Sequence, residues 1–155
     1  VVAVIGGGIV WQQTRDDSRD NARDREQVQV LTAEERILQA PDAARERLTF
    51  PGGAAATLVR SASQHRALLI TEAMPPAPDG SVYQVWFDVP GEGMVAAAVM
   101  PPRPDQTVLL SGDAAVATAA GITVEPTGGS VTPTSETIAL FDFDNLTPVG
   151  GTDAT

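Results

Sequence analysis

The rhythm of apolar and polar residues changes twice along this chain. Val1 to Trp11 reads VVAVIGGGIVW, without a charged side chain, and Gln12 to Glu26 reads QQTRDDSRDNARDRE, almost wholly polar. In the second stretch Arg15-Asp16, Arg19-Asp20 and Arg23-Asp24 recur every fourth residue. On a helix Asp16 and Arg19, or Asp20 and Arg23, would attract at i,i+3, but the i,i+4 neighbours repeat the same sign, which makes a solvated stalk at the limit of helicity. Thr32 and Glu35 then have the spacing of a capping box, predicting a short helix from about Ala33 that Pro41-Asp42 ends. Val28, Leu31, Ile37 and Leu38 are its expected apolar stripe.

Beyond Leu48 short apolar and β-branched runs alternate with Gly and Pro punctuation, the pattern of an all-β sandwich or barrel. Strands are predicted at 47–50, 55–62, 67–73, 82–89, 95–100, 107–110, 122–125 and 137–143. Separators such as Pro51-Gly52-Gly53, Pro75 to Gly80, Pro90 to Gly93, Pro101 to Pro104 and Pro126 to Gly129 are turn chemistry. Asp113 is placed to cap one helical turn reaching Ala117. The expected fold is mainly β: an antiparallel β-sandwich of about eight short strands preceded by an N-terminal helical stalk. The strand at 82–89 holds three of the chain's seven aromatic residues and is the expected centre of the fold. Alternation puts Tyr83, Val85 and Phe87 on one face and Gln84, Trp86 and Asp88 on the other, so both faces need a cover.

The apolar opening is expected to be the C-terminal end of a transmembrane helix. Its eleven residues fall short of the about 20 that span a bilayer, Trp11 suits the membrane–water boundary, and membrane helices tolerate glycine. A phosphate loop is excluded for Gly6, Gly7 and Gly8, because Ile9, Val10 and Trp11 follow instead of Lys and Ser or Thr. The acidic excess of the stalk is the reverse of a cytoplasmic flank, so the remainder of the chain is expected outside the cytoplasm. The plan is a membrane-helix end at 1–11, a juxtamembrane stalk at 12–27, a short helix and connection at 28–46, a sandwich at 47–143 and a flexible tail at 144–155.

With 20 acidic and 10 basic residues among 155 the net charge is -10, which disfavours nucleic acid as a partner. No cysteine and a single histidine, His65, leave no thiol chemistry and little material for a Ser-His or His-metal site. Asp142, Asp144 and Asn145 start like a calcium loop, but the required order fails at Leu146. Asn145-Leu146-Thr147 fits a glycosylation sequon, which matters only in a eukaryotic secretory route. The residues therefore propose no catalytic, metal or cofactor site, and the chain is not expected to be an enzyme.

Three segments carry a resemblance. Val82-Tyr83-Gln84-Val85-Trp86-Phe87, followed after a glycine turn by the strand at 95–100, and then Gly121-Ile122-Thr123-Val124-Glu125-Pro126-Thr127-Gly128-Gly129-Ser130, resemble the C-terminal domain of anti-sigma-K factors, the RskA family. Tyr83, Gln84, Val85, Trp86, Thr123, Val124, Glu125, Pro126, Gly128 and Gly129 are the motif positions, read as structural: a core strand, and a turn over Glu125–Gly128 with proline at i+1. The resemblance implies the outer domain of a single-pass membrane protein of high-GC Gram-positive bacteria. A cytoplasmic domain, absent from this chain, would hold an extracytoplasmic-function sigma factor, and envelope and intramembrane proteases would release it. The competing reading is a ligand-binding envelope sensor, with the proline-rich loops at 74–81 and 100–106 as its site.

Overall fold

A computed structural model describes residues 31–150. The membrane-helix end, the stalk and the last five residues of the tail lie outside the described residues. One helix, α1 (Ala33–Gln39), precedes nine strands: β1 (Ala44–Thr49), β2 (Ala55–Ser61), β3 (Arg66–Glu72), β4 (Ser81–Val89), β5 (Gly93–Val99), β6 (Gln106–Leu109), β7 (Ala119–Pro126), β8 (Ala139–Asp142) and β9 (Thr147–Pro148). They form two antiparallel sheets, β6-β3-β2-β1-β9 and β5-β4-β7-β8. The mainly β sandwich is as expected.

The faces of the sheets follow from the two-residue period of a strand. Leu58, Leu69, Val85, Phe87, Ile122 and Phe141 meet between the sheets in one buried cluster, where the rings of Phe87 and Phe143 pack edge to face at 6.3 Å. On the outside of the five-stranded sheet Val59 and Leu68 pack with Ile37 of α1 and with Ala40 and Ala43 in a second cluster. Covered on both faces, β2 is buried at six of its seven positions, which explains its nearly unbroken apolar run. β1 alternates half-buried and exposed residues as a one-sided strand does.

Several boundaries differ from the sequence reading. β1 starts at Ala44, because every residue from Ala44 to Thr49 pairs with β2, Arg45 and Arg47 taking exposed positions of the strand opposite Val59 and Thr57. Leu38 does not share the helix stripe: it is 40% exposed while Ile37 is 1% exposed, since successive helical residues point about 100° apart. Asp113 caps a hydrogen-bonded turn, not a helix, its Oδ1 accepting from Ala115 N at 2.8 Å. Residues 144–148, read as tail, hold the end of a 3-10 turn (Phe143–Asn145) and strand β9. Asp142 caps that turn, and Val149 N donates to Ala43 O at 2.7 Å, fastening the end of the described chain to the start of the sandwich.

Candidate functional site

β4 and β7 lie side by side in the centre of the four-stranded sheet, with Gln84 opposite Thr123 and Trp86 opposite Gly121. This register sets Gln84, Trp86, Thr123 and Glu125 on the outer face, away from Val85, Phe87 and Ile122. All four are nonetheless buried, Trp86 and Thr123 completely. Their cover is the connection from Thr127 to Ile138, which folds back over the sheet as a strap.

Glu125 anchors that strap. Thr123 Oγ1 donates to its Oε1 at 2.6 Å, Ser130 Oγ donates to Oε2 at 2.8 Å, and Thr134 N sits 3.0 and 3.1 Å from the two oxygens. Thr134 Oγ1 donates to Oε2 as well. Trp86 Nε1 donates to Thr123 Oγ1 at 2.8 Å, so indole, hydroxyl and carboxylate form one chain of hydrogen bonds. Gln84 holds Ser130 by both backbone groups, Nε2 donating to its O at 2.9 Å and Oε1 accepting from its N at 2.7 Å. Burial raises the Glu125 pKa, but the donors Thr123, Thr134 and Ser130 outweigh it and hold it down at about 2. The group is therefore an ionised acceptor surrounded by donors, too weak a base for proton abstraction and deprotonated across the neutral range.

Glycines make the close approach possible. A Cβ on Gly129 (φ +83°) would fall 2.7 Å from Val99 Cγ2 and 3.0 Å from Gln84 Oε1. A Cβ on Gly121 would meet Met94 Cε at 3.0 Å and Thr137 Cγ2 at 3.2 Å, the two groups that fill its place beside Trp86. The turn is one residue later than the sequence reading placed it. Gly129 N donates to Pro126 O at 2.9 Å, which puts Gly128 (φ +95°) at i+2 as in a type II turn. Glu125 and Pro126 stay in β7, paired with Val82 and Ser81; this turns the carboxylate onto the sheet face and not into a turn.

Of the motif positions, Gln84, Trp86, Thr123, Glu125 and Gly129 meet in this network, and Pro126 and Gly128 form its turn. Val85 enters the inter-sheet core. Val124 is half-buried, its N donated to Ser135 Oγ at 3.1 Å. Tyr83 points to the proline-rich loops, its hydroxyl donating to Pro75 O at 3.1 Å. Thr134 went unseen in sequence, its one signal being a Ser/Thr-rich run around Pro133. Those loops border a recess lined by Met74, Tyr83 and Met100. His65 lies on the surface, its Nδ1 3.0 Å from Asp113 Oδ1. Among the described residues no cluster of three or more His, Asp or Glu side chains could hold a metal ion.

These features define a two-sheet antiparallel sandwich whose buried polar centre serves to hold a surface strap. The description of the anti-sigma-K factor RskA C-terminal domain matches residues 1–138, and the chain belongs to that family of sigma-factor regulators. It is 42% identical over 142 residues to a Streptomyces griseus protein known as the uncharacterized protein in phr 5'region, covering 91% of this chain and 59% of that one. It is 36% identical over 108 residues to anti-sigma-K factor RskA of Mycolicibacterium vanbaalenii, covering 68% and 44%. Against RskA of Mycobacterium tuberculosis strain H37Ra it is 35% identical over 112 residues, covering 70% and 47%. The chain thus spans about half the length of the curated relatives it matches. No solved structure matches it significantly.

Proposed function

We propose that the sandwich is the extracytoplasmic regulatory domain of a single-pass membrane anti-sigma factor, and that its folded state withholds the proteolysis that would free an extracytoplasmic-function sigma factor. Contact with the sigma factor falls to the part of the relatives' length that this chain does not span. The apolar run at 1–11 and the acidic stalk at 12–27 support the membrane placement and its sidedness. Among the described residues no helix is long and apolar enough to cross a membrane.

The observation that carries the gating reading is the strap: a single buried carboxylate ties Ser130 and Thr134 over Trp86. Proteases act on opened states, and a change of about 1.4 kcal/mol in opening free energy alters that population tenfold. A domain held this way converts a modest local destabilisation into a large change in cleavage. An envelope protease would act first and an intramembrane protease second.

The full-length protein tests this in its host. Alkaline phosphatase fused at the C-terminus is expected to be active, and a sigma-dependent reporter is expected to rise in the order of destabilisation of strap variants such as Trp86→Phe and Gly129→Ala. An inactive fusion, or destabilised variants that leave the reporter at its basal level, would refute the proposal.

A further inference from the structure

The loops after β3 and β5 approach each other at one end of the sandwich and enclose a recess of about 170 Å³, room for one small ligand body. We propose that this recess binds a small amphiphile with an apolar ring or short acyl body and one anionic group. The inference is independent of strap, gate and membrane placement.

Three observations lead there. First, the walls are apolar and rigid. Met74 and Met100, 5% and 3% exposed, form the floor, and five prolines stand among the lining residues. Fixed proline dihedrals lower the ordering cost of binding, while methionine thioethers adapt to an apolar guest. Second, the site is held in a strained form. Ala73, at the root of the first loop, has φ +52°, kept there by Asp105 Oδ1 accepting from Ala73 N at 2.9 Å and Pro104 O accepting from Met74 N at 3.1 Å. Non-glycine residues in that region persist only where surrounding contacts demand them. Third, the lining carries a single charge. The Pro75, Pro101 and Pro104 carbonyls already accept from the Tyr83 hydroxyl, Gln106 Nε2 and Met74 N, and beside the Ser81 hydroxyl Arg103 is the one charged lining residue. The ion pairs found among the described residues are Arg47–Glu72 and His65–Asp113, so Arg103 has no carboxylate partner. A guanidinium without a carboxylate partner beside an apolar recess selects an anionic head over a cationic one by a short-range, charge-assisted hydrogen bond, against the net charge of -10 on the chain as a whole.

The chain has three methionines, and Met94 stands at the opposite end of β5 from Met100, beside Gly121. Methyl-¹³C-methionine NMR of the full chain, titrated with 2-naphthoate, therefore contains its own control. Met74 and Met100 methyl signals are expected to shift saturably while Met94 stays in place. Arg103→Gln is expected to weaken 2-naphthoate about fivefold and to leave the neutral 2-naphthalenemethanol unchanged. Absence of a saturable shift, or an equal shift of Met94, would overturn the site. Equal affinity for 2-naphthylmethylammonium, or an Arg103→Gln variant that binds 2-naphthoate as wild type does, would overturn the anionic head.

Discussion

Replacing Trp86 with Phe keeps an aromatic ring on the outer face of β4 but removes the N–H that donates to Thr123 Oγ1. Two costs follow. The missing part of the indole leaves a void under the strap, on the order of 1 kcal/mol. The Thr123 hydroxyl, completely buried, keeps Glu125 as its acceptor but loses its donor, and one lost hydrogen bond costs about 0.5–1.5 kcal/mol. Together they give about 1.5–2.5 kcal/mol, which for a sandwich of this size lowers the melting temperature by roughly 5–10 °C. Thr123→Val breaks the same bond from the other side and also takes a donor from Glu125. The double variant leaves neither indole nor hydroxyl orphaned, so its cost should be smaller than the sum of the single costs by about 1 kcal/mol or more. Urea unfolding of the full chain followed by far-UV circular dichroism measures all three without depending on tryptophan emission. Additivity within about 0.3 kcal/mol would show that the two side chains are uncoupled and that the network does not hold the strap.

Three further outcomes are expected. Gly128 and Gly129 both have positive φ, but a Cβ on Gly128 meets nothing within 4 Å, whereas one on Gly129 strikes Val99 and Gln84. Gly128→Ala should cost about 1–2 kcal/mol from backbone strain alone, and Gly129→Ala roughly 1–3 kcal/mol more from overpacking; equal melting temperatures would contradict the close approach. Glu125 falls from an ordinary value of 4.5 to about 2, and Asp42 from 3.8 to about 2 through hydrogen bonds from Ser63 N, Ser61 Oγ and Ser63 Oγ. Folded pKa values below the unfolded ones stabilise the protein above the unfolded pKa, and that stability disappears as pH falls through the folded pKa. Stability should therefore drop between about pH 5 and pH 2, and Glu125→Gln should flatten that drop in acid titrations of unfolding; an unchanged slope would refute the ionised anchor. Arg60 donates to Ala114 O at 2.7 Å and Ala115 O at 3.2 Å and lies 4.7 Å over the Phe143 ring. Arg60→Lys should cost about 1–2 kcal/mol by thermal melt, since an ammonium cannot reproduce the fork; a melting temperature equal to wild type would count against that clamp.

Much of the fold is local information. The alternation in Val82 to Val89 identified β4 and separated Phe87 from Trp86, and Thr32 with Glu35 located the start of α1 at Ala33. Gly and Pro clusters separated the strands because positive φ and missing N–H groups interrupt any ladder. β9 has no signature in the sequence, since Thr147 and Pro148 lack an apolar pattern of their own; it exists through pairing with Arg45 and Ala44, about a hundred residues away in the chain.

What covers each face was decided only in three dimensions. A strand's two-residue period tells which side chains share a face, but the identity of the opposing surface depends on non-local packing. Trp86 was recognisable as a residue needing cover, yet nothing adjacent to it announced that Ser130 and Thr134 would supply it, or that Glu125 would be buried as their anchor. The recess has the same origin: Met74 and Met100 stand on loops that the order β5-β4-β7-β8 and the pairing of β3 with β6 bring together. Residue type and spacing specify the elements because dihedral preference and alternation act over a few residues; burial and hydrogen-bond partners are set by the tertiary fold because they arise between segments far apart in the chain.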